Sequence, residues 1–396
     1  MVDSSIKQMS FEMKRRKTMT SMKHQHPVIM IFFLAVIITS WCGVCFGQNN
    51  SDPSAAESVY TRWKAAGQFA AHMSLEMIQT AAAVPNTENL IVLTNAGYAE
   101  MFSMSTQGAL DGLTVVTGAS RGKNTLVEVH SAARDPLWFA VYDRQSGFCA
   151  YLEMNRSDGS DSKLFPQPMS PEMFGIRTVE RIDAPYLYQH AKAFETRLAG
   201  RIFGNNAFRV ITIANAVASG APARVIRAIE FHDHYCPGVI SGIFMAGYVQ
   251  THFPPGKSGY FVHSIDPWCK EDALMVLLNA TPGKKKYAVS YPAKADRANR
   301  LSEVETAATI IYRRDDDTQK WEGMILGFDW ADTSCTETGI GIIDKLCMDL
   351  WYLEQIDSPE AFVKVLKTVT LPDGVSPMDW AGPGNDPLKM MGLTRK

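Results

Sequence analysis

Phe231-His232-Asp233-His234-Tyr235-Cys236-Pro237-Gly238 places two imidazoles and a thiol within five residues and then turns the chain. Pro cannot donate to a ladder and Gly tolerates positive φ, so the thiol is expected at a turn. The small and apolar run that follows, residues 239–249, reads as a helix, which puts Cys236 just ahead of a helix N-terminus, where a thiolate is favoured. A second thiol, Cys269, lies further on among Asp266, Glu271 and Asp272. Mixed His and Cys donors suit zinc and other borderline-soft metals. Side chains two apart on an extended segment point opposite ways, so His232 and His234 reach one metal only if the chain bends between them. His234, Cys236 and Cys269 are therefore expected as ligands of a transition metal ion, zinc by this donor chemistry, with His232 as an acid/base group.

Outward from this stretch the chain reads as a tandem repeat. Phe69, His72 and Ser74 have the spacing of Phe231, His234 and Cys236. Gly108, Asp111, Gly118, Ser120, Gly122 and Lys123 have that of Cys269, Asp272, Asn279, Thr281, Gly283 and Lys284. Strand 260–263 answers strand 90–93, and the run 354–359 echoes 180–185. The expected fold is α+β, with two homologous halves, each a β-sheet covered by helices, forming a fused pseudo-dimer. Residues 57–200 form a degenerate first repeat and 205–375 a second repeat carrying the site, with a tail over 376–396. Ser74 and Gly108 offer a soft metal little or nothing, so the first repeat is expected to be scaffold. Local patterns predict helices over 58–78, 97–113 and 171–198, and strands over 90–94, 126–130 and 137–142.

The stretch FHDHYCPGVISG resembles the signature of the formylmethanofuran dehydrogenase E-subunit family, a HGHxCPGxxxG-like core. In that family a second Cys, an acid three residues on and a TxGK turn follow; here they are Cys269, Asp272 and Thr281-Pro282-Gly283-Lys284. Asp233 replaces the usual Gly, and the CxxC pairs of a C-terminal zinc finger carried by many members are absent after Cys269. The resemblance implies a metal-binding protein, with Thr281, Gly283 and Lys284 as a turn for a small anionic molecule or a metal-containing cofactor. A further run, Val116 to Gly122, is similar to the nucleotide turn of short-chain dehydrogenases. Its third glycine is Asn124 and no chain of βαβ units precedes it, which excludes a nicotinamide site.

The 396 residues are 46% hydrophobic with a net charge of −2, enough to bury a sizeable core and without the field that attracts nucleic acid. Basic residues at 14–17 and 23 precede an uncharged run over 28–46, followed by Cys45-Phe46-Gly47 and polar residues. Residues 1–47 read as a signal peptide or membrane anchor, placing the rest outside the cytoplasm, periplasmic or at the cell surface. Contact with a membrane is expected only through this segment, if uncleaved. In an oxidising compartment a Cys236–Cys269 disulfide rivals the metal, and Cys335 and Cys347 are a second candidate pair. Three functions follow: an exported metal-binding protein, a metal-dependent enzyme at the same site, or a non-catalytic exported module stapled by Cys236–Cys269.

Overall fold

The structure is a computed structural model that describes residues 53–155, 168–382 and 384–395; the leader expected over 1–47 lies outside them. Helix α1 (Pro53–Ala81) is followed by β1 (Leu90–Thr94), a hairpin of β2 (Glu100–Met101) and β3 (Met104–Ser105), and α2 (Gly108–Thr117). Strands β4 (Leu126–Glu128), β5 (Trp138–Asp143), β6 (Phe148–Met154) and β7 (Phe174–Arg181) complete the first sheet. Four helices come next: α3 (Ala184–Gln189), α4 (Ala191–Ala199), α5 (Ala207–Ala218) and α6 (Ala223–His232). Then come α7 (Pro237–His252), β8 (Tyr260–Ile265), α8 (Lys270–Leu277), β9 (Tyr287–Ser290), α9 (Lys294–Ala298), β10 (Thr309–Arg314) and β11 (Trp321–Phe328). Helix α10 (Gly341–Glu354), β12 (Val363–Thr370) and α11 (Pro387–Met390) end the chain.

The two five-stranded sheets have one topology. Their orders are β4-β1-β5-β6-β7 and β9-β8-β10-β11-β12. In each, the first strand pairs parallel with the next across a helix-bearing crossover and antiparallel with the third. A parallel neighbour requires such a crossover, supplied by α2 in one sheet and α8 in the other. Each crossover helix is clasped to a preceding helix at a glycine. A Cβ on Gly67 would lie 2.2 Å from the Ala109 carbonyl oxygen, and one on Gly242 would lie 2.3 Å from that of Lys270. The fold is α+β, as expected.

Alternation along the strands sorts the side chains into layers. Leu90 and Val92 pack with Trp63, Ala66 and Ala70 of α1. Ile91 and Leu93 face the opposite way, into a large core with Ile213, Ile226 and Val239 of the inner helices, and that core continues to Tyr260 and Val262 of the second sheet. Phe261, Ile265 and Tyr312 turn to the far side, where Trp380 and Leu388 of the C-terminal segment cover them. Each sheet thus shows the same face to its own helix pair, so the layers stack head to tail.

Several local expectations are corrected. Residues 174–181 of the stretch predicted as helix form β7, an edge strand with a largely polar outer row. A hairpin occupies residues 100–105, and the helix predicted over 97–113 begins only at Gly108. The glycine clasps pair Gly67 with Gly242, so His72, five residues past Gly67, answers to Gly247 rather than to His234. His72 and Ser74 sit within α1, the first exposed and the second buried. The run 180–185 begins in the last two residues of β7 and leads into α3, whereas 354–359 begins at the end of α10 and precedes β12, so that echo is not a structural correspondence. Gly108 and Cys269, by contrast, each stand directly before the clasped residue Ala109 or Lys270.

Candidate metal centre

Helix α6 ends at Asp233, whose φ of 70° is left-handed. Residues in this conformation close many helices, and Gly takes it most easily; Asp is among the side chains that tolerate it. The reversal supplies the bend that two imidazoles at this spacing need, and the His232 and His234 rings come to 4.3 Å between centroids. The chain then becomes extended at Cys236, φ −153°, which caps α7, with Pro237 in the first helical position where its missing N–H goes unneeded. Cys269 stands at the matching position before α8. Both thiols therefore sit at helix N-termini. They are held together by Gly238, since a Cβ there would stand 2.7 Å from Cys269 Cβ and 3.1 Å from its Sγ.

His232, His234, Cys236 and Cys269 thus offer four ligand atoms that all lie within 4.8 Å of one another. Each imidazole is aimed by a carboxylate. His232 Nδ1 donates to Asp272 Oδ2 at 2.7 Å, and His234 Nδ1 donates to Asp233 Oδ1 at 2.6 Å. That leaves both Nε2 atoms facing the thiols, and His232 Nε2 is 3.7 Å from Cys236 Sγ. A carboxylate behind a ligating imidazole fixes its tautomer and raises its basicity. Asp233 is itself anchored by Arg209 at 2.6 Å, and the Phe208 ring lies 4.9 Å from that of His234.

The charges of the site fit a cation. Burial opposes protonation of His232, but the Asp272 and Cys269 hydrogen bonds outweigh it and push its pKa up to about 9. His234 is raised in the same manner, with the Asp233 hydrogen bond overcoming burial. Hydrogen bonds from Cys236, His232 and His234 pull the Cys269 thiol down to about 2. Cys236, which donates to that sulfur and is buried, is pushed up. The group therefore holds one thiolate, one thiol and proton-rich imidazoles packed together, and a divalent ion can replace these protons. Two imidazoles and two sulfurs are a complete tetrahedral set for zinc.

His232 thus joins the three expected ligands instead of standing apart from them. Cys236 and Cys269 are free thiols, which overturns their expected alternative as a disulfide; the disulfide joins Cys335 to Cys347. Thr281, Gly283 and Lys284 lie in the turn past Leu277, at the other end of α8 from Cys269, with Lys284 Nζ bonded to Asn279. The eight-residue helix separates that turn from the thiol by about 12 Å. Asp266 serves Arg297 and Arg300 rather than a histidine. Sequence reasoning misses the supports from Asp233 and Arg209; the Asp standing at the family's glycine position is their signal. A cleft of about 840 Å³ is lined by the disulfide and by none of the four candidate ligands.

None of the curated proteins compared with this chain matches it. The candidate ligands, the Gly238 contact and Asp272 all lie inside residues 231–332, a segment that matches the family FmdE, described as "Molybdenum formylmethanofuran dehydrogenase operon".

Proposed function

We propose that the protein is an exported metal-binding protein that holds one zinc ion in the clasp formed by His232, His234, Cys236 and Cys269. The single observation carrying this reading is that both imidazoles are turned by carboxylates to present Nε2 to a pair of thiols. Zinc accepts such a set without redox change, and a site filled by four protein donors is of the closed type. His232 is then a ligand, and a role for it in proton transfer is displaced. Export is supported by the N-terminal basic and uncharged runs and by the Cys335–Cys347 disulfide, a bond that persists in oxidising compartments. The identical strand orders support an ancestral duplication in which the first half became scaffold. A small anionic molecule at Thr281, Gly283 and Lys284 would occupy a surface separate from the clasp.

Elemental analysis of the full-length protein, purified without added metal, tests the reading beside Cys236→Ser and Cys269→Ser. About one zinc per chain is expected in the parent and little in either variant. A folded parent that remains metal-free after incubation with zinc would refute it.

A further inference from the structure

The two carboxylates behind the imidazoles are held from different sides. Asp272 belongs to α8, the helix that Cys269 begins. Asp233 is held by α5, which cradles the whole ligand-bearing turn. Arg209 Nη2 donates to Asp233 Oδ2 at 2.6 Å, the Phe208 ring lies 4.9 Å from that of His234, and Thr212 Oγ1 accepts from the Tyr235 backbone N–H at 3.1 Å. Positions 208, 209 and 212 share one side of the helix, so a single surface of α5 touches three consecutive residues of the turn.

The start of α5 is tied in turn to the first sheet. Strand alternation puts Tyr151 and Glu153 of β6 on one face, with Tyr151 in the core shared with the inner helices. Asn206 Nδ2 donates to the Tyr151 hydroxyl at 2.9 Å and to Glu153 Oε2 at 3.4 Å, and the Tyr151 hydroxyl itself donates to Glu153. Gly204, with φ of 55°, leaves room for that carboxylate, since a Cβ there would stand 2.6 Å from Glu153 Oε2. On its other side Asn206 Oδ1 accepts from Arg209 Nη1 at 3.2 Å. Each donor thus meets an acceptor from Arg209 through Asn206 and Tyr151 to Glu153; a flipped amide would set the Asn206 NH₂ against the guanidinium. Asn206 also gives up its customary work. It stands at the N-cap of α5, where Asn is among the strongest caps, yet its side chain makes no capping bond.

Resting on the zinc reading, we propose that Asn206, Tyr151 and Glu153 are positioning residues for the metal. By fixing Arg209 they hold Asp233 against His234, so the first half sets the zinc affinity of a site whose four ligands all lie in the second. A connected polar network of this kind transmits the loss of one member to the others.

Competition with a chromophoric chelator on the full-length protein tests it in Asn206→Ala, with Asn205→Ala as the control, a neighbour that meets Arg209 only through its backbone carbonyl. Asn206→Ala should weaken zinc binding by about threefold to tenfold, less than the roughly 10–100-fold cost of losing the carboxylate behind a ligand, and Asn205→Ala should leave it unchanged. The weakening should vanish when Asp233 is already Asn and persist in full when Asp272 is; a general loosening of the fold would add to both. Tyr151→Phe keeps the ring and removes only the hydroxyl, and it carries the test if Asn206→Ala does not fold. In the metal-free protein, long-range ¹H–¹⁵N NMR should show the His234 nitrogens shifted in either variant and those of His232 in place. A parent that takes up no zinc would therefore refute the metal reading while the NMR still decides the positioning. Unchanged affinity in the variants, an undiminished effect beside Asp233→Asn, or unmoved His234 nitrogens would each overturn the proposal.

Discussion

Asp272 and Asp233 do for the two histidines what a third side chain does for any oriented base: they fix which nitrogen is presented. Asp272→Asn should keep the ring of His232 near its place but remove the negative partner at 2.7 Å. Loss of such a support lowers metal affinity by about 10–100-fold, and competition with a chromophoric chelator would measure it; an unchanged affinity would mean that His232 is not a ligand. Protons give a second prediction at this scale. His232, with its pKa raised to about 9, and Cys236, raised further, both carry protons at neutral pH, whereas Cys269 is already a thiolate. Zinc must displace the first two and whatever proton His234, raised in the same direction, carries, so binding near pH 7.5 should release about two to three protons, and affinity should fall as pH falls. Calorimetry in buffers of different ionisation enthalpy reads that number; release of none would contradict the ligand set. Side-chain chemistry made His234, Cys236 and Cys269 legible in the sequence. The place of His232 beside them was not, because it depends on one backbone angle, the 70° φ of Asp233.

At the scale of elements, the site is the meeting of two helix starts. Helix α7 is buried along most of its length, which lets it pass between layers. Its first turn approaches that of α8 closely enough to bring Cys236 and Cys269 together only because position 238 has no side chain. Gly238→Ala would push a methyl group into Cys269 Cβ, 2.7 Å away, while leaving all four donors in the chain. Zinc content should drop, with overpacking lowering stability by about 1–3 kcal/mol. Gly247→Ala, also in α7 but with nothing within 4 Å of its new Cβ, is the matched control. It should retain zinc and be unchanged or more stable by about 0.5–1 kcal/mol, as a helical Gly→Ala change usually is. Chemical denaturation and metal analysis of the pair would separate the two outcomes; full zinc in Gly238→Ala would disprove the close-approach argument. The sequence revealed α7 through its unbroken small and apolar run, and β1 and β8 through theirs. It hid β7, whose charged and polar residues carry no continuous apolar signal, and it misaligned α1 with α7. Similar residues at matching offsets do not reveal which turn of a helix packs on its neighbour, whereas the contacts of Gly67 and Gly242 do.

For the whole molecule, the question is whether the metal stabilises only the half that contains it. Two homologous halves, each with a private core, would unfold separately, and only one would respond to zinc. Here the largest core is shared: Ile91 and Tyr142 of the first sheet, Val239 and Phe244 of α7 and Val262 and Met324 of the second sheet belong to one continuous cluster. Opening the second half would strip cover from one face of the first sheet, exposing apolar area at about 25 cal/mol per Å². A ligand that binds only the folded state raises its stability by RT ln(1 + [L]/Kd), about 2.7 kcal/mol when free zinc is a hundredfold above Kd. Because the core couples the sheets, that increment should act on both. Differential scanning calorimetry of the full chain should therefore show one transition that moves to higher temperature as zinc is added. Hydrogen exchange in β5 and β6 should slow along with that in β10 and β11. A scan that splits into a zinc-sensitive and a zinc-insensitive transition would mean that the inner helices belong energetically to the second sheet alone, and that the first half is a separate scaffold rather than part of one cooperative unit.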